Sequence, residues 1–350
     1  MEYIKSIINR YKHIRSVRML SQQYKGKYAF VGVGSHSTSN LYPVLDYLHV
    51  PLKYICCKST DKLPLIAAAW PGVQATTSLT DILADNEVKG VFVSASPKAH
   101  FSIASEVLRS GKALFIEKPP CHSKDELLQL IEKGKAAGAP IAVVDLQKRR
   151  APAVQILKRE TAKQGDGMAY NLKYLTGAYP EGNALLDLFI HPLDCMTFLF
   201  GKATVKCVEK VGEHTLFVVL SHAKAQGVLE LSTGYSWGDA KECLTVNTSR
   251  GVYELQQMDC LTFTAKPRTL MGVPMEKVFQ RNGATTKLFG RNEFVPVLSN
   301  NQVVTQGYFD TIKGFVDAVE GRKTGELQSL ESVVETYQLM EDITAFPLTL

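Results

Sequence analysis

The sequence predicts an α/β protein: a doubly wound parallel sheet, then an α+β domain whose sheet is mostly antiparallel. Two observations carry the first half. Short apolar runs alternate with segments of helical period from Tyr28 to Val144, and the first run leads straight into Gly32-Val33-Gly34 and a helix. A change of texture carries the second. After Asp145 strands follow one another with few helices between them, the pattern of an antiparallel sheet.

Taken in order, Ile4, Ile7, Ile8, Tyr11 and Ile14 recur at helical spacing among Lys5, Arg10, Lys12, Arg15 and Arg18, so residues 1–27 read as a basic amphipathic extension. Its apolar stripe suits packing on its own subunit or a neighbour, since membrane-surface anchors usually carry more signal. Residues 28–147 form the expected nucleotide-binding domain. Tyr28-Ala29-Phe30-Val31 is its first strand, and Gly32 and Gly34 allow a tight turn and the close approach of a pyrophosphate. Backbone N–H groups around Ser35 and His36, at the positive end of the helix, would hold that anion, while Ser37 stands where a third glycine is usual.

Leu52 to Cys57 is the second strand, and the residues after it bear on the cofactor. A carboxylate there would hydrogen-bond an adenine ribose, whereas cations and hydroxyls suit a 2′-phosphate. Lys58, Ser59 and Thr60 come before Asp61 and Lys62, so NADP is expected ahead of NAD. Gly90 to Val93 ends in Ser94-Ala95-Ser96-Pro97, with His100 in the opening turn of the next helix. This loop shares a sheet edge with the glycine turn and is expected to line the nicotinamide side. A histidine in such a place is more often a structural hydrogen-bonder than a catalyst.

Ala113 to Ile116 reads as a buried parallel strand followed by Glu117-Lys118-Pro119-Pro120. Open α/β sheets bind ligands at strand carboxyl ends, so Lys118 points into the expected site. Pro119 keeps the lysine backbone extended and has no N–H, so the chain leaves the sheet at once. The helix opened by Ser123-x-x-Glu126 and the strand Ile141 to Val144 complete the alternation.

In residues 148–350 the second chemical stretch is Asp187-Leu188-Phe189-Ile190-His191-Pro192. Four residues apart on a helix, Asp187 and His191 would share a face, and a carboxylate beside an imidazole suits a general base. Pro192 removes a helical hydrogen bond, so a kink is expected there. Arg149, Arg150, Tyr174, Tyr179 and Asp194 are candidate substrate contacts. His191 and Cys195 share i, i+4 spacing, but no further cluster completes a metal shell. The helix from about Tyr308, ended by Gly321, should pack back on the first domain.

Composition narrows the field. A net charge of +6 is mild, and no dense basic run with interleaved aromatics marks a nucleic-acid binder. No apolar stretch is long enough to span a bilayer. Seven cysteines without a C-x-x-C pair suggest reduced thiols and a cytoplasmic location.

With these residues in view, the chain from Tyr28 onward resembles the Gfo/Idh/MocA oxidoreductases, named for glucose–fructose oxidoreductase and inositol dehydrogenase. The resemblance rests on Gly32-Val33-Gly34, Ser96-Pro97-x-x-His100, Glu117-Lys118-Pro119, Leu186-Asp187-x-x-x-His191-x-x-Asp194 and Gly314-Phe315-x-Asp317-Ala318-x-x-Gly321-Arg322, in that order. It implies a Rossmann domain, a C-terminal domain with an open, largely antiparallel sheet that often serves as a homo-oligomer interface, and NAD(P)-linked chemistry on sugars, cyclitols or nucleotide-sugars. It carries functional roles to Lys118, Asp187 and His191, with Glu117 beside the cofactor. The competing expectation is a dinucleotide-sensing regulator or scaffold on the same fold.

Overall fold

The computed structural model describes residues 2–21, 24–138, 141–267, 269–278, 284–292 and 301–347. The chain divides into two compact units, and their boundaries interleave. The first comprises residues 1–120, 129–145 and 311–329; the second comprises 121–128, 146–310 and 330–350.

In the first unit β1 (Lys27–Val31), β2 (Leu52–Cys56), β3 (Gln74–Thr76), β4 (Val88–Val93), β5 (Ala113–Glu117) and β6 (Ala142–Asp145) form one parallel sheet in the order β3-β2-β1-β4-β5-β6. This is the doubly wound order, and the strand sequence reverses between β1 and β4. β4 and β5 are apolar because both faces are covered: Val91, Phe92, Val93, Leu114, Phe115 and Ile116 have no exposed surface.

The helix Tyr308–Val319 completes this core from far along the chain. The Phe315 ring centre lies 5.1 Å from Phe92 and 5.6 Å from Phe115, both edge-on. A fully buried phenylalanine of this kind contributes roughly 1.5–3 kcal/mol. The following segment adds backbone bonds, with Val144 N donating to Gln328 O at 2.8 Å. Tyr24 donates to Asp317 at 3.2 Å and Gly26 N to Glu320 at 2.7 Å, which fixes the chain just ahead of β1.

The second unit holds an eight-stranded sheet. In spatial order its strands are Thr285–Gly290, Cys260–Ala265, Gly251–Gln256, Lys241–Thr248, Met168–Leu175, Ala225–Ser232, Thr215–His222 and Ala203–Val211. Only the central pair, Met168–Leu175 with Ala225–Ser232, runs parallel; the other pairs are antiparallel. Met168, Tyr170 and Leu172 are buried while Ala169, Asn171 and Lys173 are exposed, so one face is covered and the other open.

Local details differ from the sequence expectation. The first helix opens as a π-turn, Ser37–Leu41, before the α-helix Tyr42–Tyr47. Ser37 Oγ and Thr38 Oγ1 both donate to Gly34 O, and side-chain bonds of this kind compete with regular helix pairing. Asp187 and His191 do not share one helix. Ala184–Asp187 stops at Leu188 and a new helix, Ile190–Phe200, begins, so Pro192 sits in a first turn where its missing N–H costs nothing.

Candidate active site

A cavity of about 700 Å³ opens at the switch point of the parallel sheet, lined by residues that follow β1, β2 and β4. Gly32, Gly34, Ser35, His36, Lys58, Ser59, Ser94 and Ser96 all line it. Gly32 has φ +114°, and a Cβ there would sit 2.0 Å from Ser94 O, so only glycine lets β1 leave the sheet this close to β4. At Gly34 a Cβ would meet no protein atom within 4 Å. What that glycine provides is open space over the turn, a cradle that suits a pyrophosphate held by backbone N–H groups.

The part of the cavity beyond β2 carries cations. Lys58 and Lys62 line the cavity with Ser59, and Lys62 Nζ donates to Val33 O at 3.0 Å. Asp61 is exposed and does not line it. Thr77 is a cavity residue the sequence reading left out, because a polar residue in a loop looks like part of a solvated turn.

Pro97, His100, Glu117 and Lys118 do not line this cavity. Pro97 is the first residue of the helix Pro97–Arg109, where its fixed φ favours the start. His100 is 1% exposed, and its Nδ1 lies 2.7 Å from Pro119 O. Burial lowers the His100 pKa, so a neutral ring donates to that carbonyl and holds the segment after Lys118. The Lys118–Pro119 peptide is cis, and Lys118 is partly buried.

Glu117 joins two parts of this unit. Its Oε1 lies 2.8 Å from His36 Nε2, and its Oε2 accepts from Lys118 N at 3.2 Å. It is paired in register with Asp145 on β6, and both carboxyls are buried. Burial raises the Asp145 pKa, and the neighbouring Glu117 charge raises it further, so Asp145 keeps its proton. Burial opposes ionisation of Glu117 too, but the His36 hydrogen bond and charge, the proton on Asp145 and the Lys118 charge leave its pKa below the ordinary value.

In the second unit Asp187 and His191 are 7% and 8% exposed. Asn183 caps the short helix, its Oδ1 accepting from Leu185 N at 3.0 Å, which fixes Asp187 in the last turn. The Tyr179 hydroxyl bonds Asp187, and burial followed by the Asp187 charge raises the Tyr179 pKa. A Cβ at Gly182 would lie 2.2 Å from Asp187 Oδ2, so the loop 177–183 packs its backbone against the carboxylate.

Two of the candidate substrate contacts meet each other. Arg149 Nε donates to Asp194 Oδ2 at 2.8 Å, its Nη2 bonds Oδ1, and Thr336 donates to the same carboxylate at 2.9 Å. That is a buried bidentate pair with its polar atoms satisfied internally. Tyr174 stands 4.7 Å under Lys148 Nζ, which bonds both Glu242 oxygens at 2.6 and 2.7 Å. Arg150 is partly buried beside this group in sequence. Among the described residues no cluster of three or more His, Cys, Asp or Glu is placed to hold a metal.

The sheet order, the glycine turn and the cavity at the switch point define a dinucleotide-binding protein of the Rossmann class. Residues 26–144 match the family model GFO_IDH_MocA, described as an oxidoreductase family with an NAD-binding Rossmann fold. Inositol 2-dehydrogenase 2 of Saccharopolyspora erythraea is 23% identical over 145 residues, 40% of this chain and 43% of that protein. The matches span between a third and about half of the length of the curated relatives.

Over the whole fold the likeness is broader. An oxidoreductase from Agrobacterium radiobacter, solved with NAD+, L-tartaric acid and magnesium, superposes with TM-score 0.72 at 16% identity, covering 91% of this chain and 96% of that one. A 3-ketoreductase from Actinomadura kijaniata, solved with NADP and TDP-benzene, gives 0.70 at 13% identity, covering 92% and 99%. Identities this low establish a shared fold.

Proposed function

We propose that the protein is an NAD(P)-dependent dehydrogenase or reductase acting on a carbinol or carbonyl carbon of a sugar, cyclitol or nucleotide-sugar. The observation that carries this is the cavity at the switch point, with a glycine turn on one side and Lys58 and Lys62 on another. The two cations and Ser59, with Asp61 turned elsewhere, support NADP over NAD. The inositol dehydrogenase relative supports a polyhydroxylated substrate.

Bound nicotinamide supplies the hydride acceptor in oxidation and the donor in reduction. In oxidation His191 takes the hydroxyl proton, and Lys118 donates a hydrogen bond to the same oxygen as negative charge grows on it. Asp187 fixes the tautomer of His191 and offsets its positive charge. In reduction His191 returns the proton. Tyr179, bonded to Asp187, and Tyr174 are the substrate contacts; Arg149 and Asp194 hold the frame beneath them.

Two further properties belong to the same reading. The open face of the eight-stranded sheet pairs with a second copy, and the location is cytoplasmic, supported by seven cysteines with no disulfide among the described residues. The test of the function is to supply NADPH, NADH and their oxidised forms with a panel of cyclitols, sugars and nucleotide-sugars and follow nicotinamide absorbance. Turnover of at least one, faster with the phosphorylated cofactor, is expected. Tight cofactor binding without turnover of any would replace this reading with that of a sensor.

A further inference from the structure

Three consecutive residues of the second unit, Gly177, Ala178 and Tyr179, join an exposed indole to the carboxylate of Asp187. Trp237 Nε1 donates to Ala178 O at 2.9 Å, and the Tyr179 hydroxyl bonds Asp187. Gly177 makes room for the indole. A Cβ there would lie 2.3 Å from Trp237 Cδ1 and 2.7 Å from both Cγ and Nε1, so any side chain would push the ring away. Backbone bonds rivet the same two loops, Thr176 N to Ser232 O at 2.8 Å and Tyr235 N to Thr176 O at 2.9 Å. Trp237 is nevertheless 55% exposed. Held at its five-membered ring, with its one polar atom already bonded, the indole offers a ligand a rigid surface of aromatic carbon.

We propose that Trp237 is a stacking platform for the substrate, receiving the C–H face of a saturated, polyhydroxylated ring such as a cyclitol or pyranose; this rests on the dehydrogenase reading of the same protein. A side chain already held in one position loses little freedom on binding, which suits it to recognition. Chemistry selects the occupant. Chair rings of this class carry hydroxyls around the rim and C–H bonds on their faces, and the indole has π surface for a face and no donor left for a rim. Donors and acceptors for the rim stand on the same two loops: Tyr179 with Asp187, and Tyr235, which is 48% exposed with its hydroxyl 2.8 Å from Asp239 Oδ2. A nucleobase, the other flat partner for an indole, is separated from it by the test.

Trp70 and Trp237 are the only tryptophans in the sequence, and Trp70 lies in the first unit with its ring centre 4.8 Å from that of Tyr42. The Trp70→Phe chain therefore reports the emission of Trp237 alone. It is titrated with myo-inositol, methyl β-glucoside and UMP at saturating NADP. One of the two polyols should change the emission and protect Trp237 from acrylamide quenching, while UMP does neither. Trp237→Ala should weaken that polyol's Kd, and its KM where it is turned over, about tenfold with kcat and melting temperature unchanged. Trp237→Phe, which keeps a ring without the N–H, should recover most of the loss, and Gly177→Ala should weaken binding as Trp237→Ala does. Four results overturn the platform: emission indifferent to both polyols, protection by UMP alone, unaltered affinity in Trp237→Ala, or phenylalanine as damaging as alanine, which would make Trp237 a strut for Ala178. Protection without turnover would support the platform and remove the dehydrogenase reading. Turnover with a KM indifferent to Trp237 would do the reverse.

Discussion

Glu117 Oε1 and His36 Nε2 lie 2.8 Å apart, tying the end of β5 to the glycine turn after β1. His36 lines the cavity, so the position of a cavity-lining side chain depends on a buried carboxylate behind it. A hydrogen bond to a charged group contributes roughly 1.5–3 kcal/mol, and 1.4 kcal/mol is a factor of ten. Glu117→Gln should therefore raise the dinucleotide Kd on the order of tenfold, read by fluorescence titration. An unchanged Kd would show that the pair does not set the turn.

The upward shift of the buried Asp145 carboxyl makes a prediction with a definite sign. Asp145 has a raised pKa in the fold, so its contribution is complete in acid and lost as pH rises through that raised value. Glu117 is shifted down, so its contribution is complete above the ordinary value and lost as pH falls. Asp145→Asn removes the first titration and keeps a donor to Glu117. The melting temperature of the variant relative to wild type should rise as pH is raised above the ordinary carboxylate range. A constant difference across pH would mean that Asp145 does not titrate in the fold.

Cofactor preference should follow the cations beside β2. Replacing Lys58 and Lys62 by alanine, with Ser59→Asp, should lower affinity for NADPH by an order of magnitude or more while affinity for NADH holds or improves. Competition titration with the two cofactors reads this directly, and equal losses for both would assign the lysines to the pyrophosphate instead.

Arg149→Ala should act on stability before it acts on substrate. Breaking a buried ion pair by removing one partner costs roughly 3–5 kcal/mol. Arg149 and Asp194 are such a pair, with Thr336 and Ser332 on its outer bonds. A large drop in denaturant midpoint is expected; a normal midpoint with a raised KM would return Arg149 to the substrate site.

Lys118→Ala and His191→Ala should each lower kcat by roughly 10²–10⁴ with cofactor binding retained, the usual scale of acid–base assistance. Stopped-flow turnover on the substrate found by the panel measures it. Rates near wild type in both variants would remove them from the chemistry.

Much of the first unit was legible in the sequence, because buried parallel strands are short apolar runs and the turn after β1 needs glycine at Gly32 for a stereochemical reason. The strand Thr285–Gly290 was not, since its side chains are exposed or partly exposed and show no alternation. Nor was the break at Leu188: the helical period of the apolar residues runs through it, and only the Asn183 cap and the restart at Ile190 reveal two helices. The partners of charged residues were the least legible. Arg149 and Asp194 are 45 residues apart, and Asp145 at the end of β6 reads as a turn residue until β5 is set beside it.

Phe315 packs edge-on against Tyr28, Phe92 and Phe115, three rings that are made far earlier in the chain. During synthesis, then, the first unit lacks this ring until a stretch 200 residues beyond Phe115 has left the ribosome. Residues 146–310 of the second unit have been made by then.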